Sequence, residues 1–229
     1  RARVALVEDN KMGGDCLNTG CVPSKALIRA ARLLADIAHA RDFGIGVDAY
    51  AVDFPAVMER VQRVIRAVEP HDSVERYTAL GVDCIAGRAR ITSPWTVEVT
   101  TAAAGLRTLT TRSIVIAAGA RPAVPPIPGL AEAGYLTSDT VWDLRVLPRR
   151  LLVLGGGPIG CELAQAFARL GAAVTQVEML PRILMREDVE VSDLVRASFE
   201  ADGVRVLAAH RAERVVIEGN DKILIADHE

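Results

Sequence analysis

The chain has 229 residues, half of them hydrophobic, and a formal net charge of −2, which suits a globular protein of one large or two small domains. This net charge argues against a nucleic-acid-binding protein, whose binding domain is typically basic. No apolar run reaches the roughly 18 residues needed to span a membrane. Four cysteines, two of them a close pair, are too few for a secreted disulfide scaffold and favour a cytoplasmic protein.

The first predicted element is a short buried strand over residues 3–8, which ends in Glu8. In a dinucleotide-binding fold, an acid at the end of the second strand binds a ribose hydroxyl. That fold begins with a strand, a glycine loop and a helix, and a complete βαβ unit takes about 30 residues or more. The sequence therefore predicts that the N-terminal βα unit of this domain is missing.

The next segment is the run Gly-Gly-Asp-Cys-Leu-Asn-Thr-Gly-Cys-Val-Pro-Ser-Lys at residues 13–25. On an ideal helix Cys16 and Cys21 would have Cα atoms about 8.7 Å apart, whereas a disulfide needs roughly 4.4–6.8 Å. The Asn-Thr-Gly segment before Cys21 permits the bend that this pair requires. A helix is predicted over residues 22–40, and its dipole would stabilise a thiolate at Cys21.

The middle of the chain changes from helix to strand. A second helix is predicted over residues 55–80, with a kink near Pro70 and an end at Gly81. Strand-like segments at 82–85, 96–100 and 113–117 are interpreted as a small antiparallel meander leading back into a parallel sheet. Prolines crowd residues 121–129 and indicate a connector. We therefore predict one domain over residues 1–147 and a second over 148–229.

The second domain opens with a strand at 151–154, a glycine loop at 155–160 and a helix at 161–170. A strand at 173–177 follows, then a helix at 188–202 and short strands at 204–225. This order is the context that a Gly-x-Gly-x-x-Gly motif requires for dinucleotide binding. The alternative is a glycine-rich turn in another α/β protein.

Each position of the glycine loop has a predicted task. Gly155 permits a tight turn, Gly157 lets a pyrophosphate approach the backbone, and Gly160 lets the helix pack closely. Phosphates would meet the N-terminus of the helix, near Pro158 and Ile159. The acid that ends the next strand, Glu178, favours NAD; the nearby Arg182 leaves NADP open.

Two other interpretations of the cysteine pair stay open from the residues alone. A zinc site needs about four ligands, and the four histidines are scattered along the chain, so we predict no metal site. Two unreactive core cysteines are the other alternative, which the flanking glycines and Lys25 disfavour. Cys84 and Cys161 each lie in an apolar element and are expected to be small core residues.

The run at residues 13–25, together with the strand that ends at Glu8 and the second glycine loop, resembles the flavin-dependent pyridine nucleotide–disulfide oxidoreductases. This family includes dihydrolipoamide dehydrogenase, glutathione reductase and mercuric reductase. The resemblance implies an α/β fold with two Rossmann-like domains, one for FAD and one for NAD(P). It also implies that the C-terminal return to the FAD domain and a dimerisation domain are missing, and that the complete protein is a homodimer.

The same resemblance implies roles for residues 13–25, here called the dithiol segment, and for one acid of the second domain. Cys16 matches the interchange thiol that reacts with substrate, and Cys21 matches the thiol beside the flavin. Lys25 matches the lysine near the reactive edge of the flavin, and Glu162 matches the acid that pairs with this lysine. From the residues alone, a solvated lysine and a surface acid would be the default interpretation of the last two.

Further positions match the FAD-binding residues of the family. Glu8 matches the acid on the adenosine ribose, and Gly13 and Gly14 match backbone near the pyrophosphate. Asp15 stands where many relatives have threonine or another small residue, and its carboxylate is expected to raise the pKa of the Cys16 thiol. A later run that returns to the FAD is matched by Ala117, Ala118 and Gly119, with alanine at 118 where most relatives have threonine.

The implied function is an electron relay from NADH, or NADPH, through FAD and the Cys16–Cys21 disulfide to a substrate. The wording of residues 19–25 is most similar to the mercuric reductases and dihydrolipoamide dehydrogenases. The expected partner is therefore a small-molecule disulfide, a dithiol or mercuric ion, with no nucleic acid and no membrane. Glutathione-reductase-type activity and an inactive nucleotide-binding fragment are the alternatives.

Overall fold

The computed structural model describes residues 2–103 and 105–228, which fall into two compact units. The first contains the N-terminal residues through Pro23 together with Gln62–Arg121. The second contains Ser24–Val61 and the residues from Pro122 onward. No helix within these described ranges is long and apolar enough to cross a membrane.

The first unit is built on two small sheets. Strand β1 (Val4–Glu8) pairs in parallel with β2 (Val82–Ala86), and Glu8 lies opposite Ala86 at the carboxyl end. Strands β3 (Arg88–Ser93), β4 (Thr96–Thr101) and β5 (Gly105–Thr110) form an antiparallel meander. This unit buries apolar side chains from both sheets and from the first helix, namely Ile85, Val99 and Leu17.

The helices of the N-terminal half follow β1 after a five-residue connection at 9–13. Helix α1 (Gly14–Asn18) and helix α2 (Cys21–Ala38) are separated by a two-residue turn, and a 3₁₀ turn (Ala40–Phe43) follows. The predicted helix over 55–80 is interrupted in the structure. Helix α3 (Phe54–Val68) gives way to a 3₁₀ turn (Glu69–Asp72) and then to α4 (Val74–Ala79).

The interruption has a local cause. Proline cannot donate the backbone hydrogen bond that an α-helix interior needs, and Pro70 lies in the 3₁₀ turn. A new helix then starts with its own cap, because Ser73 Oγ accepts a hydrogen bond from the Arg76 N–H at 3.2 Å. The expected kink near Pro70 is thus a full break between two helices.

The second unit is a parallel sheet with helices and a hairpin. Its strands β6 (Arg150–Leu154), β7 (Ala173–Val177) and β8 (Arg205–Leu207) pair in that order. Helix α5 (Leu130–Ala133) precedes β6, α6 (Pro158–Arg169) joins β6 to β7, and α7 (Val189–Ala201) joins β7 to β8. Strands β9 (His210–Glu218) and β10 (Asp221–His228) form an antiparallel hairpin. The buried side chains include Ala164, Phe167, Val174, Ile183 and Phe199.

Two strand predictions need correction, and two strands were not predicted. The segment at 82–85 belongs to the parallel pair with β1 rather than to the meander, and the sequence interpretation missed the strands at 88–93 and 105–110. The segment at 113–117 pairs with no strand among the described residues, and its Val115 and Ile116 are 88% and 75% exposed. A strand forms only when a neighbour completes its hydrogen bonds, and an apolar pattern cannot specify that neighbour.

Candidate active site

The cysteine pair lies at the junction of α1 and α2. Gly13 leads into α1 with a φ of +79°, and a Cβ atom there would lie 2.6 Å from Leu17 Cβ. Gly20 closes the turn, where a Cβ atom would lie 2.8 Å from the Asp15 carbonyl oxygen. Both positions therefore require glycine, and the tight turn brings Cys16 near the first residue of α2, Cys21.

Both cysteines are solvent-exposed thiols in the structure. A side-chain hydrogen bond with Cys21 is the largest cause that raises the pKa of the Cys16 thiol, and burial adds to it. The carboxylate of Asp72 raises this pKa further by a smaller amount. The sequence predicts the same direction but attributes it to Asp15, whose carboxylate has another partner.

Asp15 connects the dithiol segment to a distant part of the first unit. Its Oδ2 accepts a hydrogen bond of 2.9 Å from the backbone N–H of Ala120. Gly119 precedes that residue with a φ of +67°, and a Cβ atom at Gly119 would lie 2.9 Å from the same oxygen. The exposed segment of Ala117 and Ala118 is therefore tied to the residue before Cys16.

Glu8 lies at the carboxyl end of β1, as predicted, and its Oε1 accepts a 2.8 Å hydrogen bond from the Asn10 N–H. It also lines a cavity of about 190 Å³, whose other walls are Leu6, Asn10, Met12, Val74, Cys84, Ile85 and Ala86. Ligand pockets are usually about 300–1,000 Å³. This mainly apolar cavity with one acid at its edge therefore suits part of a dinucleotide, such as an adenosine.

Lys25 and Glu162 form an ion pair within the second unit. The Nζ atom of Lys25, on α2, lies 2.7 Å from both carboxylate oxygens of Glu162, on α6. The side chains are 59% and 41% exposed, so solvent screens their attraction. The structure thus joins two residues 137 positions apart that the family resemblance had paired.

The glycine loop lies between β6 and α6. Gly155 has a φ of +104°, and Gly157 is the extended N-cap residue of a helix that begins at Pro158, three residues before the predicted start. Proline suits this first helical position because it has no N–H to leave unpaired. Ile159 and Gly160 are consequently helical, and a Cβ atom at Gly160 would lie 2.5 Å from the Gly155 carbonyl oxygen.

The loop has the shape that a phosphate-binding turn needs. A Cβ atom built on Gly157 would meet nothing within 4 Å, so the backbone is open on that side. The N-terminus of α6 carries a partial positive charge, and an anion can approach it where no side chain intervenes. The residues at this loop therefore fit a dinucleotide pyrophosphate.

Glu178 follows the last residue of β7 and contacts the glycine loop directly. Its Oε2 accepts a 2.5 Å hydrogen bond from the Gly156 N–H, and its Oε1 accepts a 2.7 Å bond from the Leu180 N–H. Glu8 makes the same contact with the N–H two residues after it, so both strand ends hold their acid in the same way. A carboxylate has about four acceptor sites, which leaves capacity for ribose hydroxyls.

Arg182 left the choice between NAD and NADP open in the sequence. In the structure its guanidinium forms hydrogen bonds with its own segment. Its Nη1 donates to the Leu184 carbonyl at 3.2 Å and its Nη2 to the Met185 carbonyl at 3.1 Å. Leu184 has a φ of +50°, unusual for a branched side chain. The guanidinium therefore stabilises a strained turn in this conformation.

The sequence interpretation missed one residue of this loop. Gln176 lies in β7, is fully buried, and donates a 2.9 Å hydrogen bond to the Gly155 carbonyl. The available signal was an amide side chain at the second-to-last position of the predicted strand at 173–177. Within residues 2–103 and 105–228, no group of three or more histidine, cysteine or acidic side chains is placed to hold a metal ion.

Comparison with known sequences agrees with this geometry. The family model for pyridine nucleotide-disulphide oxidoreductases matches residues 1–229. A dihydrolipoyl dehydrogenase from Chlamydia pneumoniae is 36% identical over 209 residues, covering 90% of this chain and 44% of that protein. A mercuric reductase from Lysinibacillus sphaericus is 33% identical over 221 residues, covering 96% of this chain and 40% of that protein. The chain thus spans less than half the length of these relatives.

Solved structures lead to the same family. The Cu(II) complex of the HOCl-induced flavoprotein disulfide reductase RclA from Escherichia coli has a TM-score of 0.80 at 28% identity, covering 100% of this chain and 48% of that one. LpdA from Mycobacterium tuberculosis has a TM-score of 0.83 at 26% identity, covering 98% and 49%. On the match of the family model to all 229 residues, this chain belongs to the pyridine nucleotide-disulphide oxidoreductase family.

Proposed function

We propose that this chain carries the dithiol and the dinucleotide-binding loops of an FAD-dependent NAD(P)H:disulfide oxidoreductase. The observation that carries the proposal is the exposed Cys16–Cys21 pair, joined by a hydrogen bond across the turn between α1 and α2. Two exposed thiols in hydrogen-bonding contact can form a disulfide and reopen it, which two isolated core cysteines cannot do.

The chemistry assigned to the pair is thiol–disulfide exchange. The thiolate of Cys16 attacks one sulfur of a substrate disulfide, forming a mixed disulfide and releasing the first substrate thiol. The thiolate of Cys21 then attacks the Cys16 sulfur, which forms the Cys16–Cys21 disulfide and releases the second thiol. Two electrons and two protons pass to the substrate, and a dithiol substrate is oxidised by the reverse steps.

FAD and NAD(P)H, when bound, supply the hydride and electron transfer that restores the dithiol. We assign Glu8 to a ribose of FAD, because it lines the small cavity at the end of β1. Backbone at Gly13 and Gly14, and at the segment Ala117, Ala118 and Gly119, is assigned to the same cofactor. Asp15 supports that site through its hydrogen bond to Ala120.

NAD(P)H is assigned to the glycine loop of the second unit. Gly155, Gly157 and Gly160 shape the loop, and backbone at Pro158 and Ile159 lies at the N-terminus of α6 near the phosphates. Glu178 is assigned to the adenosine ribose and favours NADH, because a 2′-phosphate would meet its negative charge. The engaged guanidinium of Arg182 supports the same preference.

The Lys25–Glu162 ion pair is assigned to the edge of the flavin. Lys25 follows Cys21 by four residues on α2, which is one helical turn. Its cation would stabilise negative charge on an adjacent flavin ring. We further propose a division into an FAD domain at 1–147 and an NAD(P) domain at 148–229 within a longer, homodimeric cytoplasmic enzyme.

The substrate is proposed to be a small-molecule disulfide, a dithiol or mercuric ion, because the relatives include dihydrolipoyl dehydrogenases and mercuric reductases. The test is a side-by-side assay of the full-length flavoprotein. NADH oxidation is followed with lipoamide, glutathione disulfide or mercuric ion, and NAD⁺ reduction is followed with dihydrolipoamide. Thiol-linked turnover with one of them is expected, and turnover with none of them would overturn the proposed function.

A further inference from the structure

The buried amide of Gln176, on β7, contacts the glycine loop at Gly155. Its Nε2 lies 2.9 Å from the Gly155 carbonyl oxygen, to which it donates, and 3.5 Å from the Sγ atom of Cys161. The residue is 0% exposed, and among the described residues its Oε1 atom has no hydrogen-bond partner. Burying an amide with an unsatisfied acceptor is unfavourable. A methionine of similar shape would remove the unsatisfied acceptor but also the hydrogen bond to the Gly155 carbonyl, so this bond is what the amide adds to simple packing.

Further hydrogen bonds fix the backbone of the first two loop glycines, Gly155 and Gly156. The Gly155 N–H donates to the Val177 carbonyl at 2.8 Å. The Gly156 carbonyl accepts from the Leu184 N–H at 2.7 Å and from the Cys161 thiol at 3.4 Å. The Gly155 carbonyl is therefore bound from β7, whereas the Gly156 carbonyl is bound from α6 and from Leu184.

The Gly155 carbonyl is the one held by a side chain of the sheet. Glycine adopts many backbone conformations, and Gly155 already has a φ of +104°. If its peptide rotated, a carbonyl oxygen would face the negatively charged pyrophosphate. The hydrogen bond from Gln176 opposes that rotation.

We infer that Gln176 is a positioning residue for NAD(P)H: its buried amide fixes the Gly155 carbonyl away from the phosphates without touching the cofactor. The inference rests on the proposed function, because it takes the glycine loop to be the NAD(P)H site. It deepens that function by assigning part of the NAD(P)H affinity to a residue beneath the loop.

The test replaces Gln176 with methionine in the full-length flavoprotein and measures NADH binding and steady-state kinetics. The KM and Kd for NADH are expected to rise by about tenfold, while kcat at saturating NADH stays within about twofold of wild type. FAD content is expected to remain that of wild type. Gln176→Asn, whose shorter amide cannot reach Gly155, serves as a second variant if Q176M fails to fold.

Gln165→Leu is the matched control. Gln165 also donates from a side-chain amide within the second unit, to Ser198 Oγ at 3.1 Å and to Asp202 Oδ2 at 2.7 Å, but it does not contact the loop. This variant is expected to lower thermal stability without changing the Kd for NADH. A purely structural role for Gln176 predicts the same pattern for both glutamines.

Two results would overturn the inference: an unchanged Kd for NADH in the folded Gln176 variants, or an equal rise in Q165L. A wild-type protein that binds NADH but turns over no disulfide, dithiol or mercuric substrate would overturn the proposed function and leave this inference intact. A wild-type protein that does not bind NADH would overturn both.

Discussion

The Nζ atom of Lys25 lies 2.7 Å from each carboxylate oxygen of Glu162, and this ion pair joins α2 to α6 across 137 positions of the sequence. Neither side chain is buried, since they are 59% and 41% exposed. An exposed ion pair contributes only about 0.2–1 kcal/mol to stability. Because the pair does little for folding, a large effect of its removal on turnover would indicate a role in the chemistry.

Lys25→Met is expected to lower kcat by at least roughly tenfold, equivalent to about 1.4 kcal/mol of activation free energy. Its melting temperature should change no more than that of Arg107→Met. Arg107 makes a comparable exposed pair with Asp83, also at 2.7 Å, and is the matched control. An equal loss of activity in both variants would contradict the role assigned to Lys25, and so would no loss in either variant.

The two cysteines are expected to fail in different ways when replaced by serine. Cys21→Ser should keep its FAD, lose disulfide turnover, and accumulate a mixed disulfide between Cys16 and substrate, because the resolving thiol is absent. Cys16→Ser should lose turnover without accumulating that adduct. Intact-protein mass spectrometry after mixing with a substrate disulfide distinguishes the two. Adducts at Cys21 instead of Cys16 would reverse the roles.

The reactivity of Cys16 should depend on Cys21 through its pKa. The hydrogen bond with Cys21 raises the pKa of Cys16, which lowers the fraction of reactive thiolate at a given pH. Cys21→Ala removes this cause, so the pH profile of Cys16 alkylation should move to lower pH and the rate near neutral pH should rise. Asp72→Asn removes a smaller contribution and should move the profile less, in the same direction. A move to higher pH in either variant would refute this electrostatic assignment.

Glu178 should decide between the two nicotinamide cofactors. Glu178→Ala removes the acceptor for the Gly156 N–H. It also removes a negative charge that would repel the 2′-phosphate of NADPH. The KM for NADH is expected to rise by about tenfold while the ratio of NADPH to NADH activity increases. Arg182→Met should leave this ratio unchanged, since its guanidinium is bound to carbonyls of its own segment. A loss of NADPH activity in R182M would show that Arg182 reaches the phosphate.

Gly13 should be the least replaceable glycine at the dithiol turn. Gly13→Ala combines a φ of +79° with a Cβ atom 2.6 Å from Leu17 Cβ, so it is expected to destabilise the fold by about 2 kcal/mol or more. Gly14→Ala has the positive φ but open space and should cost about 1 kcal/mol. Gly46→Ala has neither feature and should be nearly neutral. Chemical denaturation of the three variants tests this order.

Much of the second unit follows from the sequence, because its signals are local. The strand, glycine loop, helix and acid between Leu151 and Glu178 each have a residue pattern that specifies them. The helix start moves by three residues because Pro158 belongs to its first turn. The predicted strand at 173–177 does not reveal that Gln176 reaches Gly155, because that contact depends on how strand and loop pack.

The first unit is less predictable because its strands depend on distant partners. The sequence predicts residues 82–85 as part of a meander, yet they pair with β1. The paired residues Val4 and Val82 are 78 positions apart in the chain. Residues 113–117 have a strand-like composition and no partner among the described residues. Asp15 was linked by the sequence to Cys16, whereas its carboxylate binds the Ala120 N–H. In each case the determining interaction joins residues far apart in the chain.

The proposed electron relay requires that Cys21 contacts the flavin and that the Cys16–Cys21 pair transfers electrons. An anaerobic titration of the full-length flavoprotein with NADH, followed by visible absorbance, tests it most directly. We predict a long-wavelength thiolate-to-flavin absorbance band after addition of two electrons, and its loss in Cys21→Ser. Bleaching of the flavin without that band in the wild-type protein would contradict the account and leave a flavin dehydrogenase whose cysteines are not redox partners.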